Sequence, residues 1–307
     1  DKHILKGISA WIISVVAITM ALFHLYTAGF GVMVATSQRG IHLTFLLILC
    51  FLLYPATKDA PKDKISKVDI ILVFLSLFVT LYPVVFQERI QQMAHLPIST
   101  IEYISGWIFI LLVLEATRRV VGKQLTIVAV ICLLYCKFGY LIPGDFGHSG
   151  FSWKRIVRHM YLTQEGIFGI ALGVSATYIV LFIIFGAFLD ISGMAKLFCD
   201  LSMAVAGKGH GGPAKVAVIA SCLLGMINGS APANVVTTGS FTIPLMKKVG
   251  YDPPFAAAVE AVASTGGQIM PPIMGAVAFI MADFLQIPYW KVAMSAFIPG
   301  ILYYCSC

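Results

Sequence analysis

The chain has 307 residues, 59% of them hydrophobic and 11% charged, with a mean hydropathy of +0.91. Soluble domains carry about a quarter charged residues, so a soluble globular protein is excluded. The 21 Lys and Arg against 14 Asp and Glu give a formal net charge of +7. These basic residues fall between apolar runs, which excludes a nucleic-acid-binding face and fits loops that flank membrane spans.

Several apolar runs are about 20 residues long, the length a helix needs to cross roughly 30 Å of hydrocarbon. They predict spans at 8–25, 41–54, 70–86, 104–114, 125–142 and 167–189, the fourth being short in its purely apolar part. A cytoplasmic N-terminus puts Lys2, Lys6, Lys58, Lys62, Lys64, Lys67, Arg118, Arg119, Lys123, Lys196, Lys208, Lys215, Lys247 and Lys248 inside. It leaves Arg39, Arg89, Lys137, Lys154, Arg155, Arg158 and Lys291 outside, and this excess of inner positive charge sets the expected orientation.

Between the fifth and sixth runs, Trp153, Ile156, Val157, Met160 and Tyr161 share one helical face, with Lys154, Arg155 and Arg158 on the other. That pattern predicts an amphipathic helix along the membrane surface, or else a dock for an acidic partner. The seven cysteines, Cys50, Cys132, Cys136, Cys199, Cys222, Cys305 and Cys307, lie mostly in apolar stretches without zinc-type spacing and read as packing residues. Texture divides the chain into bulky scaffold helices at 1–142, the interfacial linker at 143–166, and a region at 167–307 rich in small residues that permit close packing and broken helices.

Residues 214–228, AKVAVIASCLLGMIN, are helix-like but too short to span comfortably, and GSAPAN follows. Gly229 and Pro232 interrupt the ladder, a second short helix covers 235–248, and the pair reads as a re-entrant hairpin with its tip at 229–234. Further on, FAAAVEAVAS, TGGQIMPP and IMGAVAFIMADFL read as one helix broken at 265–272. Non-helical backbone at membrane depth is tolerated only where protein or a water-filled cavity satisfies it, so both breaks are candidate binding surfaces. Half-helix ends aimed there attract carboxylates at their N–H groups and sodium at their C=O groups. The neutral oxygens of Ser230, Asn234, Thr237, Thr238, Ser264, Thr265 and Gln268 suit Na⁺, a hard cation.

The runs GGPAKVAVIAS, GSAPANVVTTGSFTIPLMKKVGY and AAAVEAVASTGGQIMPPIMGAVAFIMAD resemble the large permease of tripartite ATP-independent periplasmic (TRAP) transporters over about 166–307. Upstream, FHLYTAGFG, QRGIHLTF, FLLYP and LEATRRVVG resemble the fused small-plus-large permeases that pair with TAXI-type binding proteins. The resemblance implies an all-α polytopic membrane protein: scaffold helices, then a transport domain with a re-entrant hairpin and a broken transmembrane helix. It implies Na⁺-driven import across a bacterial inner membrane, no enzyme activity and no cofactor beyond Na⁺ as coupling ion. A periplasmic binding protein would deliver an organic anion, usually a carboxylate, and an elevator movement would carry it.

Carried onto this sequence, the ion- and substrate-binding residues would be Gly229, Ser230, Ala231, Asn234, Thr237, Thr238, Ser264, Thr265, Gly266, Gly267, Gln268, Pro271 and Pro272. The Na⁺ ligands would lie among Gly229, Ser230, Ser264, Thr265 and Gly267, through backbone carbonyls or side chains alike. The family's transport domain holds a second, inverted copy of this unit. This chain starts at Asp1 and stops at Cys307 inside an apolar run before that copy, and is expected to be a fragment.

Glu115, Asp190, Glu260 and Asp283 lie in or beside apolar runs, where a lone carboxylate costs several kcal/mol. Arg118 and Arg119 sit three and four residues beyond Glu115 and predict a local ion pair, while Asp190 and Asp283 read as capping or solvated groups. Glu260, four residues before the second break, reads equally as an intramembrane acid or as a structural pair with a lysine such as Lys247. His210 in GKGHGGPAK lacks P-loop order, and His3, His24, His42, His95, His148 and His159 show no hydrolase or metal company. A stand-alone Na⁺/carboxylate symporter stays open as an alternative, and so, further off, does a re-entrant-loop channel.

Overall fold

The computed structural model describes residues 7–57, 65–92, 97–207, 209 and 211–307. Expectations resting on Lys2, His3, Lys6, Lys58, Lys62, Lys64, His95, Lys208 and His210, and on the side chain of Asp190, fall outside the described residues. The described residues form an all-α, polytopic protein. In chain order the helices are α1 (Ile8–Phe30), α2 (Ala35–Leu53), α3 (Lys67–Val85), α4 (Gln87–Gln92), α5 (Thr100–Val120), α6 (Lys123–Phe138), α7 (Trp153–Leu162), α8 (Ile170–Val174) and α9 (Val180–Ile191). There follow α10 (Met194–Ala206), α11 (Gly212–Asn228), α12 (Ala231–Lys248), α13 (Pro253–Gly266), α14 (Ala276–Phe284) and α15 (Tyr289–Ser306).

Six helices are long and apolar enough to cross a membrane, at Ser9–Phe30, Ala35–Leu53, Lys67–Val85, Thr100–Val120, Lys123–Leu141 and Ile170–Leu189. The fourth is longer than its apolar run because its polar ends are helical too. Ser99 and Glu102 close a reciprocal capping box that fixes the start, and Arg118 and Arg119 lie in the last turn. The sixth is not a continuous α-helix, since a π-helical turn at Ser175–Ile179 separates α8 from α9.

The chain forms two compact units, Asp1–Ala176 and Thr177–Cys307. In the first, Leu43, Leu47, Phe51, Val79, Phe109, Leu112, Tyr161 and Phe168 make one buried cluster. The rings of Phe109 and Phe168 stack at 5.1 Å, and the Tyr161 hydroxyl donates to the Val79 carbonyl at 2.8 Å. The amphipathic helix forms as its face predicts, with Ile156, Val157 and Tyr161 buried. What that face covers is protein: a Cβ on Gly106 of α5 would stand 2.4 Å from Val157 Cγ1, so the bare glycine is what seats α7.

Glu115 pairs with both arginines, accepting from Arg118 Nη2 at 2.7 Å and from Arg119 Nε at 2.8 Å. Arg119 also reaches Asp69 at the start of α3 and the Tyr54 carbonyl. A second polar chain joins α1, α2 and the end of this unit. The Met20 carbonyl can only accept, so His24 carries its proton on Nδ1 (2.7 Å) and presents a bare Nε2. His42 Nδ1 then donates to that Nε2 at 2.9 Å, and the Ser175 hydroxyl donates to His42 Nε2 at 3.0 Å. Every tautomer in the chain follows from one carbonyl, a linkage the sequence does not display.

Candidate functional site

In the second unit both interrupted segments close tightly. α11 runs to Asn228, Gly229 turns left-handed (φ 59°, ψ 6°), and α12 starts at once, capped by the Ser230 hydroxyl accepting from the Ala233 amide. The hairpin tip is therefore shorter than the 229–234 expected from sequence. Pro232, read as a breaker, sits in the first turn of α12, where a missing N–H costs nothing. The second break is shifted rather than shortened. α13 continues to Gly266 and α14 starts only at Ala276, so the irregular backbone runs over 267–275 and not 265–272.

The two breaks meet. A Cβ on Gly225 would lie 2.5 Å from Gly267 Cα, and one on Gly229 would lie 2.5 Å from the Met274 carbonyl oxygen. The Ile273 amide donates to the Met226 carbonyl at 3.0 Å, and the Gly275 amide to the Gln268 carbonyl at 2.8 Å. Tyr289 of α15 completes the accounting by accepting from the Met274 amide (3.1 Å) and donating to the Pro272 carbonyl (2.9 Å). Its ring stacks on Phe279 at 4.2 Å. Ala263 would bond the Gly267 amide in a continuing helix, but that amide turns to Ser264 and the Tyr304 hydroxyl takes its place at 3.0 Å. The C-terminal ends of α11 and α13 and the N-terminal ends of α12 and α14 thus converge on one spot, so acceptor carbonyls and donor amides face the same place.

Two turns before Gly267 on α13 lies Glu260, fully buried. Its Oε1 accepts from Ser221 at 2.9 Å, from Ser264 at 2.9 Å and, by a very short bond, from Thr238. Its Oε2 accepts from Thr242 at 2.5 Å. Among the described residues the ion pairs engage other carboxylates, so the expected lysine partner is replaced by hydroxyls from three helices. Asn234, also fully buried, donates from Nδ2 to the Ser221 carbonyl at 2.8 Å. Its Oδ1 is buried without a donor.

Of the sequence-predicted residues, Gly229 and Ser230 form the tip, Ala231 opens α12, Gly266 closes α13, and Gly267 and Gln268 start the break. Pro271 and Pro272, joined by a cis peptide bond, lie within it. Asn234 stands beside Gly225 at the glycine contact, while Thr238 and Ser264 hold Glu260. Thr237 and Thr265 are not brought in, because their hydroxyls bond Ala233 and Ala261 of their own helices. Gln268 is exposed and contributes its backbone. Ser221, Thr242 and Tyr289 were missed, although Asn234, Thr238 and Thr242 at four-residue spacing already mark one polar stripe on α12.

The family described as "Tripartite ATP-independent periplasmic transporter, DctM component" matches residues 108–307. The chain is similar to the C4-dicarboxylate TRAP transporter large permease protein DctM of Pseudomonas aeruginosa, 33% identical over 121 residues, which are 39% of this chain and 28% of the relative. It is similar to the isethionate TRAP transporter permease protein DctMQ of Oleidesulfovibrio alaskensis, 34% identical over 122 residues, 39% of this chain and 19% of the relative. To the 2,3-diketo-L-gulonate TRAP transporter large permease protein YiaN of Escherichia coli it is 27% identical over 121 residues, 39% of this chain and 28% of the relative. The chain thus spans less than a third of the length of each of these relatives. No solved structure matches it. The matched residues hold both interrupted helices and the seam between them, and the chain belongs to the tripartite ATP-independent periplasmic transporter family, whose members are permeases and not enzymes.

Proposed function

We propose that this chain is part of a secondary active transporter of the bacterial inner membrane that imports an organic anion, a carboxylate, with Na⁺ as coupling ion. The observation that carries the reading is the meeting of four half-helix ends at Gly225, Gly229, Gly267 and Met274. Two N-terminal ends offer amides and positive dipole ends to an anion, and two C-terminal ends offer carbonyls to a cation. The donorless Oδ1 of Asn234 adds an acceptor beside the glycine contact, the kind of atom an alkali cation takes. Relatives named for C4-dicarboxylate and isethionate transport support an anionic cargo.

Within this reading, carbonyls around Gly229 and Gly267 serve Na⁺ and the starts of α12 and α14 serve the carboxylate. A periplasmic substrate-binding protein, TAXI-type by the upstream resemblance, delivers the cargo. The transport unit then moves elevator-fashion against the scaffold, with the N-terminus in the cytoplasm. The test is uptake of labelled succinate and isethionate into proteoliposomes by the full-length gene product, with and without a Na⁺ gradient and its neighbouring binding protein. Uptake requiring both supports the reading. Uptake needing Na⁺ alone favours a stand-alone symporter, and flux indifferent to gradients overturns the carrier mechanism.

A further inference from the structure

Glu260 and Glu115 both lie in the apolar part of this chain, and they are treated in opposite ways. Glu115 has two guanidinium groups within 2.8 Å. Glu260 is fully buried and, among the described residues, receives only hydroxyls, from Ser221 of α11, Thr238 and Thr242 of α12 and Ser264 of α13. Hydroxyls solvate a carboxylate but do not neutralise it, and an uncompensated buried charge costs several kcal/mol. Nearby, the Oδ1 of Asn234 is an acceptor with no donor, on a residue whose Nδ2 holds the carbonyl of Ser221. Glu260 on α13 and Asn234 on α12 are joined through Thr238, whose hydroxyl lies 2.8 Å from the Asn234 carbonyl and also reaches the Glu260 carboxylate.

We propose that Glu260 is the charged ligand of a Na⁺ site built between α11, α12 and α13, with Asn234 Oδ1 and the surrounding hydroxyl oxygens as neutral ligands. The donor set is carboxylate, hydroxyl and amide oxygen with no nitrogen or sulfur, which suits a hard cation. One negative charge selects a monovalent ion, since a divalent one would leave a net positive charge buried. The hydroxyls can turn their lone pairs to an ion without stranding their protons. Thr238 Oγ1 is already 2.8 Å from the Asn234 carbonyl, and Thr242 Oγ1 is 3.0 Å from the Thr238 carbonyl. Each therefore holds a second acceptor for its one proton. The site rests on the Na⁺-coupled reading and gives it a charged ligand distinct from the backbone carbonyls at the seam.

The experiment is thermal unfolding of the purified full-length protein titrated with NaCl at constant ionic strength, with choline and KCl as replacements and no substrate present. Ligand that binds only the folded state raises the melting temperature in proportion to its occupancy. The wild type is expected to shift with Na⁺ and not with choline, and Glu260→Gln, which keeps the shape and removes the charge, to lose the shift. Thr242→Val, which keeps the methyl-bearing shape and removes one oxygen, is expected to need about tenfold more Na⁺ for the same shift. It supplies the answer if Glu260→Gln does not fold. A Na⁺ shift undiminished in both variants overturns the site, as does a wild-type response to pH that depends on Glu260 while Na⁺ has no effect. The uptake assay fails or succeeds independently: a Na⁺ shift that requires Glu260, in a protein whose uptake ignores Na⁺, would keep the site and remove the coupling.

Discussion

The guanidinium of Arg119 stands 2.7 Å from the carboxylate of Asp69, and each side chain is only 1% exposed. The two residues come from different helices, and the same guanidinium reaches Glu115 and the Tyr54 carbonyl and lies 5.1 Å from the centre of the Phe51 ring. One cation thus ties the ends of α2, α3 and α5. Arg119→Met leaves Asp69 charged and unpartnered, and the expected loss is about 3–5 kcal/mol. Thermal unfolding in detergent checks it, and a loss below about 1 kcal/mol would show that Asp69 finds another partner.

Gly225 has no room for a methyl group, because its Cβ would stand 2.5 Å from Gly267 Cα, a backbone atom that cannot turn aside. Gly225→Ala is expected to cost about 1–3 kcal/mol by overpacking. Since the displaced atoms belong to the break, uptake should fall further than stability does. Comparing initial uptake rates with melting temperature against Gly186→Ala, at a helical position with nothing within 4 Å of its Cβ, separates the two effects.

Tyr289→Phe keeps the ring on Phe279 and removes the hydroxyl that serves the Met274 amide and the Pro272 carbonyl. Losing a partly exposed hydrogen bond of this kind costs about 0.5–1.5 kcal/mol. The loss should be local, so hydrogen exchange is expected to accelerate at 273–275 with little change across α11.

His42→Leu strands a bare Nε2 on His24 and the Ser175 hydroxyl. A destabilisation of about 1–3 kcal/mol is expected, with partial recovery in the His24→Leu, His42→Leu pair, where neither imidazole is left unpartnered. A double-mutant cycle on unfolding measures the coupling, and simple additivity would count against the chain of donors.

What was legible in the sequence is what depends on near neighbours. The spans, the Glu115 pairing at three and four residues, the face of α7 and the existence of both breaks all follow from local periodicity and composition. The edges of the breaks were not, because proline reads as a stop whether it ends a helix or, like Pro232, opens one. Contacts between distant residues were invisible for a different reason. Asp69 with Arg119, His42 with Ser175 and Tyr289 with the break lie 50, 133 and 15 or more residues apart, and nothing in their immediate neighbours announces them. Glu260 was found as a solitary acid, but its hydroxyl cage needed three helices to be placed.

The seam between the two breaks is written almost wholly in main chain: an amide of Ile273 on a carbonyl of Met226, glycine against glycine, a left-handed turn against a carbonyl. Apart from the tyrosine hydroxyls of Tyr289 and Tyr304, such a joint makes few demands on the side chains that project around it. Mutation can therefore redraw the chemistry of the surrounding surface while the joint itself persists, so long as its three glycines stay bare. Under the transport function proposed above, a single architecture of this kind would serve as a common chassis for many cargoes, diversified residue by residue without being rebuilt.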